Sequence, residues 1–241
     1  MKLKLPIILI LCFWAISVFG QKKKVQINPN YGERPFHLGF SLGTNLLNYR
    51  LLPSKEVLSE SLNKNVFKVE PVGTVGLNLS IISDLRMSKF FNLRFQPGLI
   101  FGQRNLMYQV KDDSYEDTLI VTEHTMHISS IYIDVPISVR FNARRINNYQ
   151  PYFIVGTAMK FDLETKRVVR QNGGYAIRQD PLDFFYEFGF GVDWFLPYFK
   201  FGAELKFSFG TKNILIQEDV EYSSVIESLK TRMVTLAFNF E

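Results

Sequence analysis

Cysteine is nearly absent from this chain. The only one among 241 residues is Cys12, and it lies in an amino-terminal stretch that predicts a signal peptide over residues 1–20. That stretch has a basic start and an apolar core from Leu5 to Phe19, with cleavage expected between Gly20 and Gln21. Because cleavage removes Cys12, the exported chain is expected to have no disulfide, no thiolate metal site and no lipid-modified cysteine.

Long apolar runs and a strong charge bias are missing as well. Beyond residue 20 no apolar run reaches roughly 18 residues, which excludes helical membrane spans. The chain has 28 Lys plus Arg and 23 Asp plus Glu, and loss of Lys2 and Lys4 leaves 26 against 23, a net charge of +3. The basic residues are scattered apart from the run Lys22 to Lys24, so we expect no nucleic-acid partner.

What the chain has in abundance is a two-residue alternation. In LDFFYEFGFGVDWF, from Leu182 to Phe195, the even positions are apolar or aromatic, while the odd positions include Asp183, Glu187 and Asp193. A period of two is that of a β-strand, whose successive side chains point to opposite faces. Comparable runs occur eight times, at residues 36–45, 67–81, 91–102, 131–142, 152–162, 182–195, 199–210 and 234–240.

The connections between these runs alternate in length. Short polar connections are predicted at residues 83–89, 144–149 and 196–198, and long ones at 50–66, 111–123, 163–180 and 211–228. This pattern is typical of an outer-membrane barrel with short periplasmic turns and long outer loops. The sequence therefore predicts an all-β fold, an eight-stranded antiparallel up-and-down transmembrane β-barrel over residues 35–241, after a periplasmic tail at 21–34.

A soluble lipocalin-like barrel also has eight strands, so a separate argument must decide whether the apolar face of the strands points into or out of the barrel. An eight-stranded barrel has an interior just wide enough for side chains to fill. The apolar face would have to place at least a dozen Phe rings and Trp194 in that space, whereas the opposite face carries glycine, serine and asparagine. The aromatic face is therefore predicted to point outward into lipid.

Charged residues recur on the face assigned to the lumen. The basic ones are Lys68, Arg94, Arg104, Arg140, Lys160, Lys200 and Lys206, and the acidic ones are Glu70, Asp134, Asp162, Glu187, Asp193 and Glu204. Their near balance predicts a network of ion pairs that fills the lumen, because an unpaired charge there is costly to desolvate. A proton or ion path is the alternative. The expected pairs join Asp183, Glu187 and Asp193 to partners among Arg94, Arg140 and Lys206.

Catalytic and ligand motifs are weak in this sequence. His124 and His127 are three residues apart, a spacing that points them to opposite faces of a strand. Gly189-Phe-Gly191 resembles half of a nucleotide-binding fingerprint, but no helix pattern follows it. The acidic cluster at residues 112–117 could hold calcium, and a solvated loop is the preferred interpretation. His37 is the single inward histidine and has no serine and acid partners that can be assigned. We therefore predict no catalytic residue, no metal site, no cofactor and no enzymatic activity.

The final run ends in Phe238, Asn239, Phe240 and Glu241. Phe238 and Phe240 resemble the aromatic-ended closing strand that barrel-assembly machinery reads in outer-membrane proteins. The resemblance is one residue off, because Glu241 follows the last aromatic. Barrel-assembly machinery and outer-membrane lipid are therefore expected partners.

Several stretches together resemble the PorT family, outer-membrane barrels of the type IX, gliding-associated secretion system. These stretches are PFHLGFSLGTN from Pro35, SDLRMSKFFNLRFQPGLIFGQRNL from Ser83, RRINNYQPY from Arg144, GFGVDWFLPYFKFGAELKFSFG from Gly189 and the closing LKTRMVTLAFNFE. The resemblance implies a non-enzymatic accessory of protein export that works beside other secretion-system proteins. A structural or adhesive barrel that acts through its extracellular loops is the alternative.

Overall fold

The chain forms one closed sheet. The computed structural model describes residues 26–53, 66–112, 120–164, 178–216 and 226–241, so the predicted signal peptide and cleavage site lie outside the described residues. A short 3₁₀ helix (Pro29–Glu33) precedes the strands, and no helix of the described part is long and apolar enough to cross a membrane. The described strands are β1 (Phe36–Pro53), β2 (Val66–Arg86), β3 (Phe91–Phe95), β4 (Gly98–Asp112), β5 (Ile120–Asn142), β6 (Tyr149–Asp162), β7 (Arg178–Gln179), β8 (Leu182–Phe195), β9 (Lys200–Gly210), β10 (Leu215–Ile216) and β11 (Ile226–Phe240).

The ring has eight members. Its order is β1, β11, β9, β8, β6, β5, β3 with β4, and β2, which pairs back to β1, and every pairing is antiparallel. β3 and β4 act as one strand interrupted at Gln96 and Pro97, since proline has no N–H to give to a ladder. β7 and β10 form a separate two-stranded sheet. The predicted eight-stranded antiparallel barrel is confirmed.

The barrel has an inverted distribution of polarity. Val75 is 75% exposed and Leu77 63% exposed on the outer wall, while Arg94 is fully buried and Arg140 is 1% exposed in the lumen. A water-soluble barrel buries its apolar side chains, so this arrangement excludes the lipocalin-like alternative for these strands. The outward apolar face is the one that lipid covers in a membrane barrel.

The apolar outer wall has the height of a membrane. It runs from Phe36 to Leu46 on β1, from Phe91 to Phe101 along β3 and β4, and from Ile131 to Phe141 on β5, each a span of eleven residues. At about 3.3 Å per residue and a tilt of about 40°, eleven residues rise about 27 Å, close to the ~25 Å apolar band of outer-membrane barrels. We call this belt the apolar band.

Both faces of the wall change character at the outer edge of the apolar band. Outward positions become polar, as at Gln103 and Asn105 on β4 and His127 on β5, which hydrogen-bond to one another at 2.9–3.0 Å. Inward positions become apolar and form a buried cluster, comprising Tyr49, Leu106, Tyr108, Met126, Ile128, Ile214, Leu215, Ile226 and Leu229. The outer part of the barrel is thus built like a water-soluble protein, with the polar face outside and the apolar face inside.

Strand extension beyond the band shortens the predicted loops. β5 begins at Ile120 rather than near residue 131, and β4 continues to Asp112. At the opposite end, β2 continues to Arg86 through a segment predicted as a turn. The turns at that end are correspondingly short and fall at residues 87–90, 143–148 and 196–199.

Lys68 and Glu70 were predicted to face the lumen, and the structure places them outside. They form an ion pair at 2.8 Å with about half of each side chain exposed. The reason is an extra residue in β2 between Gly73 and Leu77, opposite Arg104 and Phe101 of β4. Such a bulge shifts the alternation by one position, so every side chain on its far side changes face.

A substitution at Phe188 tests where the midplane of the membrane lies on the barrel. Phe188 lies in the middle of the outward positions of β8, is 38% exposed and stacks on Phe207 at 5.4 Å. Phe188→Arg should lower the free energy of unfolding by about 2–4 kcal/mol, because a charge near the midplane must leave water. Urea unfolding in lipid vesicles measures this loss.

Ser129 provides the matched control for that measurement. It faces outward on β5 just beyond the apolar band. Ser129→Arg should cost at most about 1 kcal/mol, as expected near the interface. Equal losses for the two arginine variants would contradict the assigned band.

Candidate functional site

The lumen is occupied by charged side chains in three layers. The layer nearest the short turns is called the periplasmic layer, following the rule that outer-membrane barrels have short turns on the periplasmic side. Above it lie a central layer and an outer layer, which ends beneath the apolar cluster. The periplasmic and outer layers include contacts between strands that are not neighbours in the sheet, whereas the central layer links the consecutive strands β5, β6, β8 and β9.

Arg94 of β3 is the hub of the periplasmic layer. Its guanidinium donates to Asp84 at 2.8 Å and to the Glu241 side chain at 2.7 Å, and it lies 3.5 Å from Glu204. All four side chains are buried, so each charge depends on the others for solvation. Asp84 lies near the end of β2 and Glu241 directly follows β11, so Arg94 links β3 to the ends of these two strands.

Arg140 and Lys200 complete this layer. Arg140 of β5 forms an ion pair with Asp193 of β8, and Lys200 reaches Glu241 at 2.7 Å. The Arg140 guanidinium lies 3.6 Å from the centre of the Tyr152 ring, a cation–π contact in a dry setting. The Tyr152 hydroxyl in turn donates to Glu204 at 2.8 Å.

A glycine makes room for that tyrosine. A Cβ on Gly191 would lie 2.5 Å from the Tyr152 ring, closer than real side chains approach. Gly191 belongs to the alternating segment of β8, on the same face as Glu187 and Asp193. The small residues of that face therefore give space to large side chains that cross the lumen.

The central layer is a compact group of two lysines and two carboxylates. Lys160 of β6 donates to Asp134 of β5 at 2.7 Å and to Glu187 of β8 at 2.9 Å. Lys206 of β9 lies 3.5 Å from Glu187, which also accepts a hydrogen bond from Ser208 at 2.7 Å. The four charges cancel within the layer.

Arg104 of β4 organises the outer layer. It donates to Asp162 at 2.9 Å and stands over the rings of Tyr49 and Tyr132, with 4.6 and 5.3 Å to their centres. The Tyr49 hydroxyl accepts a hydrogen bond from Gln179 of β7 at 2.6 Å. This layer marks the change from the polar lumen to the apolar cluster above it.

The sequence predicted most of these residues but not their pairing. Arg94, Asp134, Arg140, Glu187, Asp193, Glu204 and Lys206 all lie buried in the lumen. Of the expected pairs, Asp193 has Arg140 and Glu187 has Lys206, yet the shortest ion pair of Glu187 is with Lys160. Among the described residues Asp183 has no basic ion-pair partner; it accepts from the Lys212 backbone N–H.

Two network members were missed from the sequence. Asp84 was taken as part of a turn, and Glu241 was read only as a departure from an aromatic ending. Both follow the alternation, since Asp84 continues the inward positions of β2 and Glu241 those of β11 after Asn239. Extending the run at 67–81 by three residues and the run at 234–240 by one residue would have found them.

The amino-terminal segment covers the periplasmic mouth. The backbone N–H of Ile27 donates to Asn148 at 2.9 Å, and Asn28 donates to the carbonyl of Pro197 at 3.0 Å. Arg145 donates in return to the carbonyls of Ile27 and Asn28. The described part of the predicted tail is therefore fixed to two of the three short turns.

Tyr31 of this segment lies across the opening. Its ring stacks on His37 at 4.6 Å and lies 5.5 Å from the Lys200 ammonium. Burial raises the pKa of Tyr31, so its phenol stays neutral. His37, the inward histidine, contacts the carbonyl of Tyr31 at 3.0 Å. In this arrangement His37 serves to hold the segment in place.

The outer mouth carries a separate ion pair. Lys212 contacts Asp180 at 2.6 Å where β7 and β10 approach the barrel. The hydrogen bond from Lys212 holds the pKa of Asp180 below its usual range, because it stabilises the charged carboxylate.

Metal ligation finds no support in the described residues, where no group of three or more candidate ligands comes together. His127 faces outward on β5, whereas the side chain of His124 lies outside the described residues. The same holds for the acidic cluster at 112–117, because residues 113–117 fall between the described ranges and the side chain of Asp112 lies outside the described residues.

The filled lumen leaves little free space. Two of its cavities have volumes of about 20 and 50 Å³, the first beside Lys206 and the second beneath Tyr31. A water molecule needs roughly 10–15 Å³ of such space, so these cavities hold single waters or a few. An open path for a solute would require several buried ion pairs to separate.

A closed ring of eight strands with an apolar outer band and a charged lumen defines a transmembrane β-barrel of the outer-membrane type. Residues 19–215 match the model of the family described as outer membrane protein beta-barrel domain, and the chain belongs to that family. The protein is accordingly an outer-membrane β-barrel.

Solved structures with similar architecture come from several bacteria. Neisserial surface protein A is 8% identical with a TM-score of 0.42, covering 86% of this chain and 98% of its own. The attachment invasion locus protein Ail of Yersinia pestis is 13% identical with a TM-score of 0.36, covering 86% and 99%. OprG of Pseudomonas aeruginosa is 10% identical with a TM-score of 0.39, covering 84% and 92%. No curated protein matches the chain.

Glu187 is the most informative position of the central layer. Glu187→Gln removes the carboxylate that Lys160 and Lys206 share, leaving two buried ammonium groups with one remaining acid. Loss of one partner of a buried ion pair typically costs about 3–5 kcal/mol. We expect a loss of that size in urea unfolding followed by gel mobility.

Asp183→Asn serves as the control on the same strand. Asp183 is also buried, but its carboxylate has no basic ion-pair partner among the described residues. We expect this change to cost less than about 1 kcal/mol, because it removes a charge whose burial is itself unfavourable. Similar losses for the two variants would argue against ion pairing as the role of the central layer.

The filled lumen leads us to expect that the protein does not conduct ions. Purified protein in planar lipid bilayers should show no stepwise conductance, since the three layers and the apolar cluster close the lumen in series. Regular single-channel steps that disappear in a variant of the central layer would instead establish an ion path through it.

Proposed function

We propose that this outer-membrane β-barrel is a non-enzymatic accessory or assembly component of type IX protein secretion. The resemblance to the PorT family supports this proposal across most of the exported chain. Two of the resembling stretches, residues 83–106 and 189–210, include the ends of strands and the short turns of the periplasmic side. Export through the predicted signal peptide is part of the proposal.

The filled lumen limits how such a component can act. Eight strands leave an interior that side chains fill, so a folded protein has no route through this barrel. A role in secretion must therefore use a surface. Three surfaces are available. They are the lipid-facing wall, the outer extension in which the strands continue beyond the apolar band, and the periplasmic rim formed by the short turns at 87–90, 143–148 and 196–199.

The periplasmic rim has the chemistry of a docking surface, and it is the observation on which the proposal depends. Each short turn presents an exposed apolar side chain: Met87 is 64%, Ile146 50% and Tyr198 96% exposed. Turns 87–90 and 143–148 contain basic residues, including the exposed Lys89 and Arg144, and none of the three turns contains an acidic residue. Exposed aromatic and basic groups together suit a partner with an acidic, partly apolar surface.

Phe238 and Phe240 fit a role in membrane assembly. They face outward on β11, where Phe240 stacks on Phe40 at 5.0 Å and Phe238 on Phe201 at 6.0 Å. β11 closes the ring against β1, so these aromatics lie at or near the seam that joins the two ends of the barrel. This position supports recognition by barrel-assembly machinery.

The outer extension favours the second candidate, a structural or adhesive barrel. β4 and β5 continue beyond the apolar band as a paired hairpin to Asp112 and Ile120. A rigid extension that carries loops away from the membrane suits contact with another surface. The two candidates thus use opposite ends of the molecule.

A gene deletion combined with complementation separates them. Loss of the protein should change the set of secreted proteins while general surface attachment persists. A rim variant, Lys89→Glu with Arg144→Glu and Tyr198→Ser, should fail to restore secretion at normal outer-membrane levels. An outer variant with residues 113–119 replaced by an equal length of Gly and Ser should restore it.

An unchanged secretome in the deletion strain would refute the secretion role. If attachment is lost instead, and only the outer variant fails to restore it, the adhesive candidate is correct. Immunoblots of outer-membrane fractions confirm that both variants assemble before either result is interpreted.

A further inference from the structure

Three basic residues lie together on the outward face of the seam between β1 and β11. Arg50 of β1 pairs directly with Lys230 of β11, and Arg232 follows two residues along β11 opposite Asn48. Arg50 and Arg232 are exposed and Lys230 is half-buried. Directly opposed side chains on one face are about 4.5–5.5 Å apart at their Cβ atoms, so Arg50 and Lys230 are close neighbours. We call these three residues the basic seam.

The basic seam has no counter-charge among the described residues. Glu70, outward on the adjacent strand β2, is already paired with Lys68 at 2.8 Å. Glu227 is exposed farther out on β11, and none of the three basic residues forms an ion pair with a described acid. Like charges placed opposite each other weaken a strand pair. Within the described part of the chain, the three positive charges of the seam are therefore not compensated by an acidic residue.

Its height on the barrel identifies where that anion lies. Leu46 and Val234, opposite each other, are the last apolar outward pair of this seam, and Asn48 with Arg232 comes next. Each step of two residues rises about 5 Å on a tilted strand. A bilayer of about 40–45 Å with a hydrocarbon core of about 30 Å has headgroup layers of about 5–8 Å. The basic seam thus spans the headgroup layer of the outer leaflet.

β4 and β5 show no such charge at this level among the described residues. Their outward positions just above the band are neutral, at Gln103, Asn105 and Ser129. The positive charge of the seam therefore has no counterpart on these two strands. A localised group of cations suits a specific headgroup, whereas a continuous belt would suit a general attraction to the membrane surface.

An aromatic wall lies beside and below the seam. Phe209 of β9 is opposite Arg232 and stacks on Tyr186 at 5.3 Å, while Phe207 stacks on Phe188 at 5.4 Å. These rings form a rigid apolar surface at the depth of acyl chains. A lipid whose phosphate contacts the seam would lay its chains against this wall.

We propose that the basic seam binds the phosphate of a phosphorylated lipid in the outer leaflet. Two guanidinium groups can each give a pair of parallel N–H donors to phosphate oxygens, and the lysine adds a third charge. The long stems of these side chains let their charged ends reach the headgroup while the stems remain on the apolar wall.

Native mass spectrometry of the detergent-purified protein tests this assignment. The wild-type protein should retain diphosphoryl lipid A about tenfold or more better than the same lipid without phosphates, as expected for the loss of one or more charge-assisted hydrogen bonds. The variant Arg50→Gln with Lys230→Gln and Arg232→Gln should lose that preference. A control, Arg34→Gln with Lys89→Gln and Arg144→Gln, removes the same charge at the periplasmic end and should keep it.

Other outcomes overturn the proposal. Equal retention of the two lipids by the wild-type protein would reduce the contact to apolar packing, and this comparison needs no variant to fold. Persistence of the preference in the seam variant would locate the phosphate site elsewhere. Displacement of lipid A by inorganic phosphate at equal concentration would identify a free-phosphate site instead of a lipid site.

Discussion

The structure depends on one constraint, namely that charged groups inside a narrow barrel must neutralise one another at contact distance. Water is scarce there, and removing a single ion from water costs several kcal/mol even after relaxation. The six basic residues buried in the lumen, Arg94, Arg104, Arg140, Lys160, Lys200 and Lys206, each contact at least one carboxylate. Within the apolar band the lipid-facing surface excludes polar side chains, so the polar side chains of these strands face the lumen. The lumen is filled because its charged groups must pair.

The polar and apolar faces of the wall exchange at the outer edge of the apolar band, and this exchange also follows from the cost of removing polar groups from water. Within the band the outside is hydrocarbon, so apolar side chains face outward and charges face inward. Beyond it the outside is water, and Met126 and Ile128 turn inward while His127 turns outward on the same strand. The alternation itself continues through the boundary. Only the identity of the buried face changes, which is why the membrane edge can be read from side chains alone.

The sequence predicted the strands and their facing well within the band. A strict period of two distinguishes faces, and the volume of Phe rings decides which one meets lipid. Prediction failed where local geometry interrupts that period. The bulge between Gly73 and Leu77 reverses Lys68 and Glu70, and the two glycines at 73 and 76, a residue type that often marks a bulge, were not used to predict it. The ends of strands were the other source of error, since Asp84 was assigned to a turn although it continues an inward face.

Pairing within the network could not be read from the sequence, because it depends on which strands meet across the lumen. Arg94 of β3 contacts Glu204 of β9, and Arg104 of β4 contacts Asp162 of β6, although neither pair belongs to adjacent strands. Alternation gives the face of a residue but not its height, and height depends on the stagger of the closed sheet. Both the bulge in β2 and the break at Pro97 alter that stagger.

The contacts of the charge network also select the register of the barrel. A slip of one residue in any strand would exchange its inward and outward faces, placing carboxylates in lipid and aromatics in the lumen. A slip of two would keep the faces but separate Lys160 from Glu187 and Arg94 from Glu241, leaving buried charges unpaired. The network therefore penalises both errors. A register selected in this way keeps the lumen filled with paired charges.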